Sequence, residues 1–226
     1  MCNVGGVIMQ VRELKKKDAI LMEEWMKNED ISNSFQYEFT KTSIEKCEKF
    51  IVRAQRDVKS LHLAIVDDND EYMGTVSLKN IDFINRKSEY AIVLRKVAIG
   101  NGYAKIATDI ILYIAFKILN LHKVYLNVFE DNLRANKFYE KYGFISEGKF
   151  ADSLIVRGNY KSINWYSILK LDYEKNHKNI EITFDKKYIN KIGNHINKIA
   201  IMGKNDIAVK SMEAVLKEYS IDRGNH

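Results

Sequence analysis

The 226-residue sequence predicts an α/β fold, a mixed and mostly antiparallel sheet with helices on both faces. Three observations lead there. Strand-like and helix-like periods alternate over about the first 170 residues, in the order strand, two helices, three strands, helix, strand, helix, two strands. The three central strands are joined by short polar turns, which makes them an antiparallel meander. A glycine segment, Gly100-Asn101-Gly102, then leads from a strand into a helix.

Each element has a local reason. Residues 7–14 read as the first strand. Asp18 is placed to cap a helix that runs to about Asn28, with Ile20, Leu21, Met22, Trp25 and Met26 on one broad face. Residues 32–41 are irregular and aromatic, with Phe35, Tyr37 and Phe39 alternating. Thr42 with Glu45 makes a capping box that opens a second helix through Ile44, Cys47, Phe50, Ile51 and Ala54. The meander occupies residues 61–66, 72–82 and 88–94, with turns at 67–70 and 85–87. Ile106, Ala107, Ile110, Ile111, Ile114, Ala115 and Ile118 recur at helical spacing. Residues 123–129 form a strand. Asn132 stands at the next helix start, and Gly143 is placed as its C-cap. Residues 144–150 and 160–171 make the last strand pair, turning near Arg157-Gly158-Asn159.

Composition excludes several classes. AVILMFWYC residues at 46% and charged residues at 29% are the balance of a globular chain rather than a disordered one. The net charge of +6 suits an anionic ligand, but the basic residues form no concentrated stripe of the kind that binds nucleic acid. Two cysteines, Cys2 and Cys47, exclude a disulfide framework and a multi-cysteine zinc site. No His, Cys or carboxylate cluster has metal-ligand spacing, so no metal is expected. No apolar run reaches the roughly 18 residues of a membrane span, and the N-terminus lacks a secretory signal. The expectation is a cytoplasmic protein without a membrane or nucleic-acid partner; a homodimer is compatible with it.

Residues 95–105 read Arg-Lys-Val-Ala-Ile-Gly-Asn-Gly-Tyr-Ala-Lys. Glycines let main-chain amides approach a ligand, and a new helix offers unpaired N–H groups at its positive dipole end. The segment can therefore cradle a pyrophosphate, with Arg95, Lys96 and Lys105 adding charge, or it can be a tight turn that needs glycine for its dihedrals. It is neither a P-loop nor a Rossmann fingerprint. Thirty residues on, Asn132, Ala135 and Tyr139 recur at helical spacing and share a face. There the Asn132 amide can hold a ligand rather than cap the helix. The Tyr139 hydroxyl can point at the same groove or bond a backbone carbonyl.

Over residues 9–173 these two strings and the element order resemble the GCN5-related N-acetyltransferases (GNAT). Ile99 stands where that family usually has Gln or Arg. The resemblance implies acetyl-CoA in a V between the strands at 89–94 and 123–129. It implies cofactor contacts from Ile92, Val93, Leu94, Gly100, Asn101, Gly102, Tyr103, Ala104, Lys105 and Asn132. Tyr139 would protonate the leaving thiolate. Glu89 would take the amine proton, or else be a solvated charge paired with Lys87 or Arg86. Trp25, Phe35 and Tyr37 would form the acceptor wall, or plain core. Within the family the chain is similar to sugar-modifying and ribosomal-protein acetyltransferases. That implies a small-molecule amine acceptor, foremost a nucleotide-linked amino sugar. The alternatives are a protein N-terminus, or a catalytically silent CoA-binding module suggested by Ile99.

Residues 174–226 read as a separate extension, a possible truncated β-α start of a second domain. A polar linker at 176–179 precedes residues 180–184, which alternate like a strand, and Ile192, Ile196 and Ile199, which have partial helical spacing. Residues 198–202 read as a strand, followed by a glycine turn and a helix through Val209, Met212, Val215 and Leu216. This piece resembles the opening unit of a formyltransferase domain that acts on amino sugars. Such a unit cannot bury both faces of its strand alone, so it is either truncated or packed on the acetyltransferase or on a partner subunit.

Overall fold

Two helical layers enclose a seven-stranded sheet in the computed structural model, which describes residues 3–4, 7–8, 10–39, 41–177 and 186–221. A short hairpin of β1 (Asn3–Val4) and β2 (Val7–Ile8) precedes the sheet. The sheet strands are β3 (Gln10–Glu13), β4 (Leu61–Val66), β5 (Tyr72–Asp82), β6 (Lys87–Leu94), β7 (Lys123–Phe129), β8 (Ile145–Val156) and β9 (Asn159–Leu169). Their spatial order is β3-β4-β5-β6-β7-β9-β8, and every neighbouring pair is antiparallel except β6 and β7. The single strand expected over 7–14 is thus divided, with only Gln10–Glu13 joining the sheet.

Strand β4 shows how the layers form. Successive side chains of a strand point to opposite faces. Leu61, Leu63 and Ile65 enter one core cluster, while Ala64 and Val66 enter the other. The second cluster belongs to α1 (Ala19–Lys27), α2 (Glu29–Ser32) and α3 (Ile44–Ala54), which bury Met22, Trp25, Ile31, Cys47 and Ile51. Two expected caps differ. Asp18 precedes α1 but makes no side-chain cap; both its oxygens accept from the Arg12 guanidinium at 2.8 Å. Arg12 is 1% exposed, so its buried charge needs that carboxylate more than the helix does. Helix α3 is capped by Ser43, which accepts from the Lys46 N–H at 3.3 Å, while the Thr42 hydroxyl turns to the Met26 sulfur.

The first cluster lies under α4 (Tyr103–Tyr113), which continues through a π turn at Ile114–Ile118, and under α5 (Leu133–Tyr142). Then come α6 (Lys170–Asn176), α7 (Lys186–Met202) and α8 (Asp206–Ile221). Residues 180–184 lie outside the described residues. The strand expected over 198–202 is helical, the end of α7. Ile192, Ile196, Ile199 and Ala200 share one face of that helix and are buried, which an extended chain would not achieve. The formyltransferase likeness is therefore not borne out. Instead α7 lies against β3 and α8 against the π turn. Gly203, between them, sits on Phe83 so closely that a Cβ there would come within 1.9 Å of its ring. Among the described residues no helix is long and apolar enough to cross a membrane.

Candidate active site

Parallel pairing of β6 with β7 covers only Lys87/Lys123, Ser88/Val124 and Glu89/Tyr125. Beyond Glu89, β6 stays with β5 as far as Leu94, and β7 stays with β9 as far as Phe129, so the two part. A cleft of about 950 Å³ opens between them, within the range of small-molecule sites. Residues 90–94 line one side and 127–129 the other. The inner edge of β6 has no strand beside it there, so its inward main-chain groups are offered to whatever enters.

Gly100 and Gly102 stand at one end of the cleft with φ of +86° and +81°. Gly102 is the N-cap of α4 and supplies no side-chain cap, so the first N–H groups of the helix remain for a ligand. Ala104 and Lys105 also line the cleft. Asn101 and Tyr103 do not: the Asn101 amide donates to the Val97 carbonyl, and the Tyr103 ring is buried in the core. Only their main chain is left to serve a cofactor. Gly102→Val forces a β-branched residue into the left-handed region and obstructs the cradle. Saturating acetyl-CoA should raise the wild-type melting temperature by about 5–10 °C. In the variant that shift should vanish, and a retained shift would show that the cradle does not bind.

The expected cations divide. Arg95 is buried against Glu24 and Glu71, and Lys96 pairs with Asp30; neither faces the cleft. Lys105 does, with its Nζ 2.8 Å from the Asp109 carboxylate. Arg134 and Lys141 on α5 line it as well. They were legible only as basic residues seven apart, on one side of that helix.

Asn132 does cap α5, its Oδ1 accepting from the Ala135 N–H at 3.2 Å, and it lines the cleft at the same time. Two turns on, Tyr139 lines the cleft with 7% of its surface exposed. Its ring packs on Tyr90 and Phe144 at 6.0 and 5.6 Å. Burial pushes the phenol well above its ordinary range, so it holds its proton. Among the described residues the hydroxyl has no hydrogen-bond partner.

Glu89 stands at the apex, the last residue paired with β7. Its partners are not Lys87 or Arg86. Lys79 Nζ lies 2.6 Å from one oxygen, and Asn80 Nδ2 donates to the other at 3.1 Å. Arg86 bonds the Asn120 carbonyl instead. Phe35 and Tyr37 line the cleft, with Ser34 and Gln36. Trp25 does not join them: it packs behind Phe35 at 5.6 Å, and its indole N–H donates to the Tyr72 hydroxyl. Its place on the buried face of α1 makes it core.

The profile of the Acetyltransferase (GNAT) domain matches residues 9–145. The spermidine N(1)-acetyltransferase of Vibrio cholerae serotype O1 (strain ATCC 39315 / El Tor Inaba N16961) is 28% identical over 165 residues, which is 73% of this chain and 95% of that protein. YdaF of Bacillus subtilis (strain 168), provisionally named a ribosomal N-acetyltransferase, is 30% identical over 122 residues, 54% of this chain and 66% of its own. The crystal structure of the Vibrio cholerae spermidine N-acetyltransferase in complex with CoA and spermine superposes with a TM-score of 0.68 at 27% identity. It covers 73% of this chain and 97% of that one.

Proposed function

The chain belongs to the GNAT acetyltransferase family, and from that membership we propose that its cleft takes the acetyl group of acetyl-CoA to the primary amine of a small flexible acceptor. The observation that carries this reading is the parting of β6 and β7 just beyond Glu89, with Tyr139 on one wall. The amine must attack neutral, the carbonyl must be polarised, and the thiolate must be protonated. Glu89 takes the proton from the incoming ammonium, directly or through water. A main-chain N–H near Ile92 or Val93 on the open edge of β6 polarises the carbonyl oxygen. The carbon–nitrogen bond forms and the carbon–sulfur bond breaks; Tyr139 gives its proton to sulfur and regains one from the second proton that the nitrogen sheds on becoming an amide, while the proton on Glu89 passes to solvent. Gly100, Gly102, Ala104 and Lys105 hold the pyrophosphate, and Asn132 meets the pantetheine arm.

Polyamines are the acceptor class that the relatives favour, because a spermidine acetyltransferase aligns over 95% of its length. The amino-sugar acceptor expected from the sequence has no support among them. A second reading, acetylation of a protein N-terminus, rests on the likeness to YdaF over about half of this chain. Thiol release from acetyl-CoA, measured with spermidine and with short peptides bearing free N-termini, separates the two. Turnover with spermidine and not with the peptides is expected. Release confined to the peptides would favour the second reading, and release no faster than hydrolysis would leave a silent CoA-binding module.

A further inference from the structure

We propose that Lys79 tunes acceptor choice: its ammonium occupies, beside Glu89, the position that an acceptor ammonium needs, so that spermidine is turned over but each further cationic amine close to the first lowers its efficiency below that of the unpaired carboxylate. This rests on the reading of Glu89 as the group that meets the acceptor.

The backbone of β5 is built to make this contact. Its ladder with β6 runs in register from Gly74/Leu94 to Lys79/Glu89 and then slips, resuming at Asp82/Lys87. At the slip Asn80 takes a φ of +52°, a conformation that asparagine tolerates better than most residues with a Cβ. Ile81 leaves the ladder and donates its N–H to the Lys59 carbonyl at 2.8 Å. Bulges of this kind re-aim side chains and concentrate next to active sites. Here the bulge turns Lys79 and Asn80 to the same carboxylate, with contacts of 2.6 and 3.1 Å.

The charges around the cleft sharpen the argument. Among the described residues that line it, Glu89 is the one carboxylate, and Lys79, Lys105, Arg134 and Lys141 are cationic. The last three stand on α4 and α5, the helices that hold the pyrophosphate cradle and the Asn132 face. Lys79 is the cation that the sheet carries, cross-strand from Glu89. A Glu89 free of Lys79 would attract polycations; paired with it, the acceptor end carries no net charge. An amine with one positive charge exchanges with Lys79 at the carboxylate and restores the pair. A polyamine places its next ammonium within reach of the displaced Lys79, in a setting drier than water. One like charge at roughly 7 Å in such a setting is worth about a factor of ten in affinity.

The test measures kcat/KM with acetyl-CoA for butylamine, putrescine and spermidine, which carry one, two and three charges on similar chains. The full-length wild type is compared with Lys79→Met and Lys79→Arg, with melting temperatures as the control for folding. Lys79→Met should gain with all three amines, since each must displace Lys79, but the gain should grow with charge, reaching about tenfold more with spermidine than with butylamine and falling between for putrescine. Lys79→Arg keeps the charge and should behave as wild type. A uniform change across the three amines, or a loss that grows with acceptor charge, would overturn the role of Lys79 alone. A wild type that binds acetyl-CoA but turns over none of the three would overturn the small-amine reading and this inference with it.

Discussion

Tyr139→Phe should lower kcat about 10²–10⁴-fold while leaving the KM for acetyl-CoA near its wild-type value. The phenol is nearly enclosed, and desolvation holds it in the protonated form. The hydroxyl makes no hydrogen bond among the described residues and stays open to the cleft, where the proposed recipient of its proton is a sulfur that leaves with a negative charge. An enclosed thiolate has little water to protonate it, so a donor already in place removes part of the barrier. The loss should fall on kcat because the proton moves only as the carbon–sulfur bond breaks. The ring contacts with Tyr90, Phe138 and Phe144 survive the substitution, so the variant should melt near the wild-type temperature. Near-normal turnover in a folded variant would remove Tyr139 from the chemistry.

The parts of this molecule that were legible in its sequence are those decided by neighbours along the chain. Strands β4, β5 and β7 end where the period-two runs end, because polar turns bound them. Asn132 and Gly143 delimit α5 as expected, since a cap is a contact over three or four residues. Features decided by distant contacts were read differently. Asp18 and Thr42 are reasonable caps locally, but Arg12 claims the first and the Met26 sulfur the second. Trp25 shares the aromatic character of Phe35 and Tyr37, yet only the seating of α1 on β5 separates core from wall. The partner of Glu89 was out of reach for the same reason: Lys79 meets it through a pairing register that slips at Asn80. The run Ile199, Ala200, Ile201 and Met202 suits a strand or a helix equally, and the sheet face beneath α7 decided it.

Ending the chain after His177 should abolish a cooperative melting transition, or lower its midpoint by more than about 10 °C. The extension is not laid on the surface. Ile192, Ile196, Ile199, Ala200, Ala208 and Met212 are at most 1% exposed and belong to the same core cluster as Leu61, Leu63 and the α4 residues. Fully burying an Ile or Met side chain is worth about 1.5–3 kcal/mol, so the four large ones represent about 6–12 kcal/mol. That is an upper bound, since α7 and α8 bury part of it against each other. Even half of it is a large share of the roughly 5–15 kcal/mol that holds a domain together. Polar groups would be stranded too: the Asn205 amide donates to the Leu119 carbonyl at 3.0 Å, and His195 Nε2 donates to the Asp57 carbonyl at 2.8 Å. Acetyl-CoA should recover at most the roughly 5–10 °C that binding adds to the full chain, because a ligand stabilises by mass action only the folded state it binds. A single change, Ile196→Asp, should act in the same direction by putting a charge into that interface. A truncated chain that melts as the full one does, and still gains stability from acetyl-CoA, would establish residues 9–173 as a self-sufficient acetyltransferase domain and the two helices as an appendage.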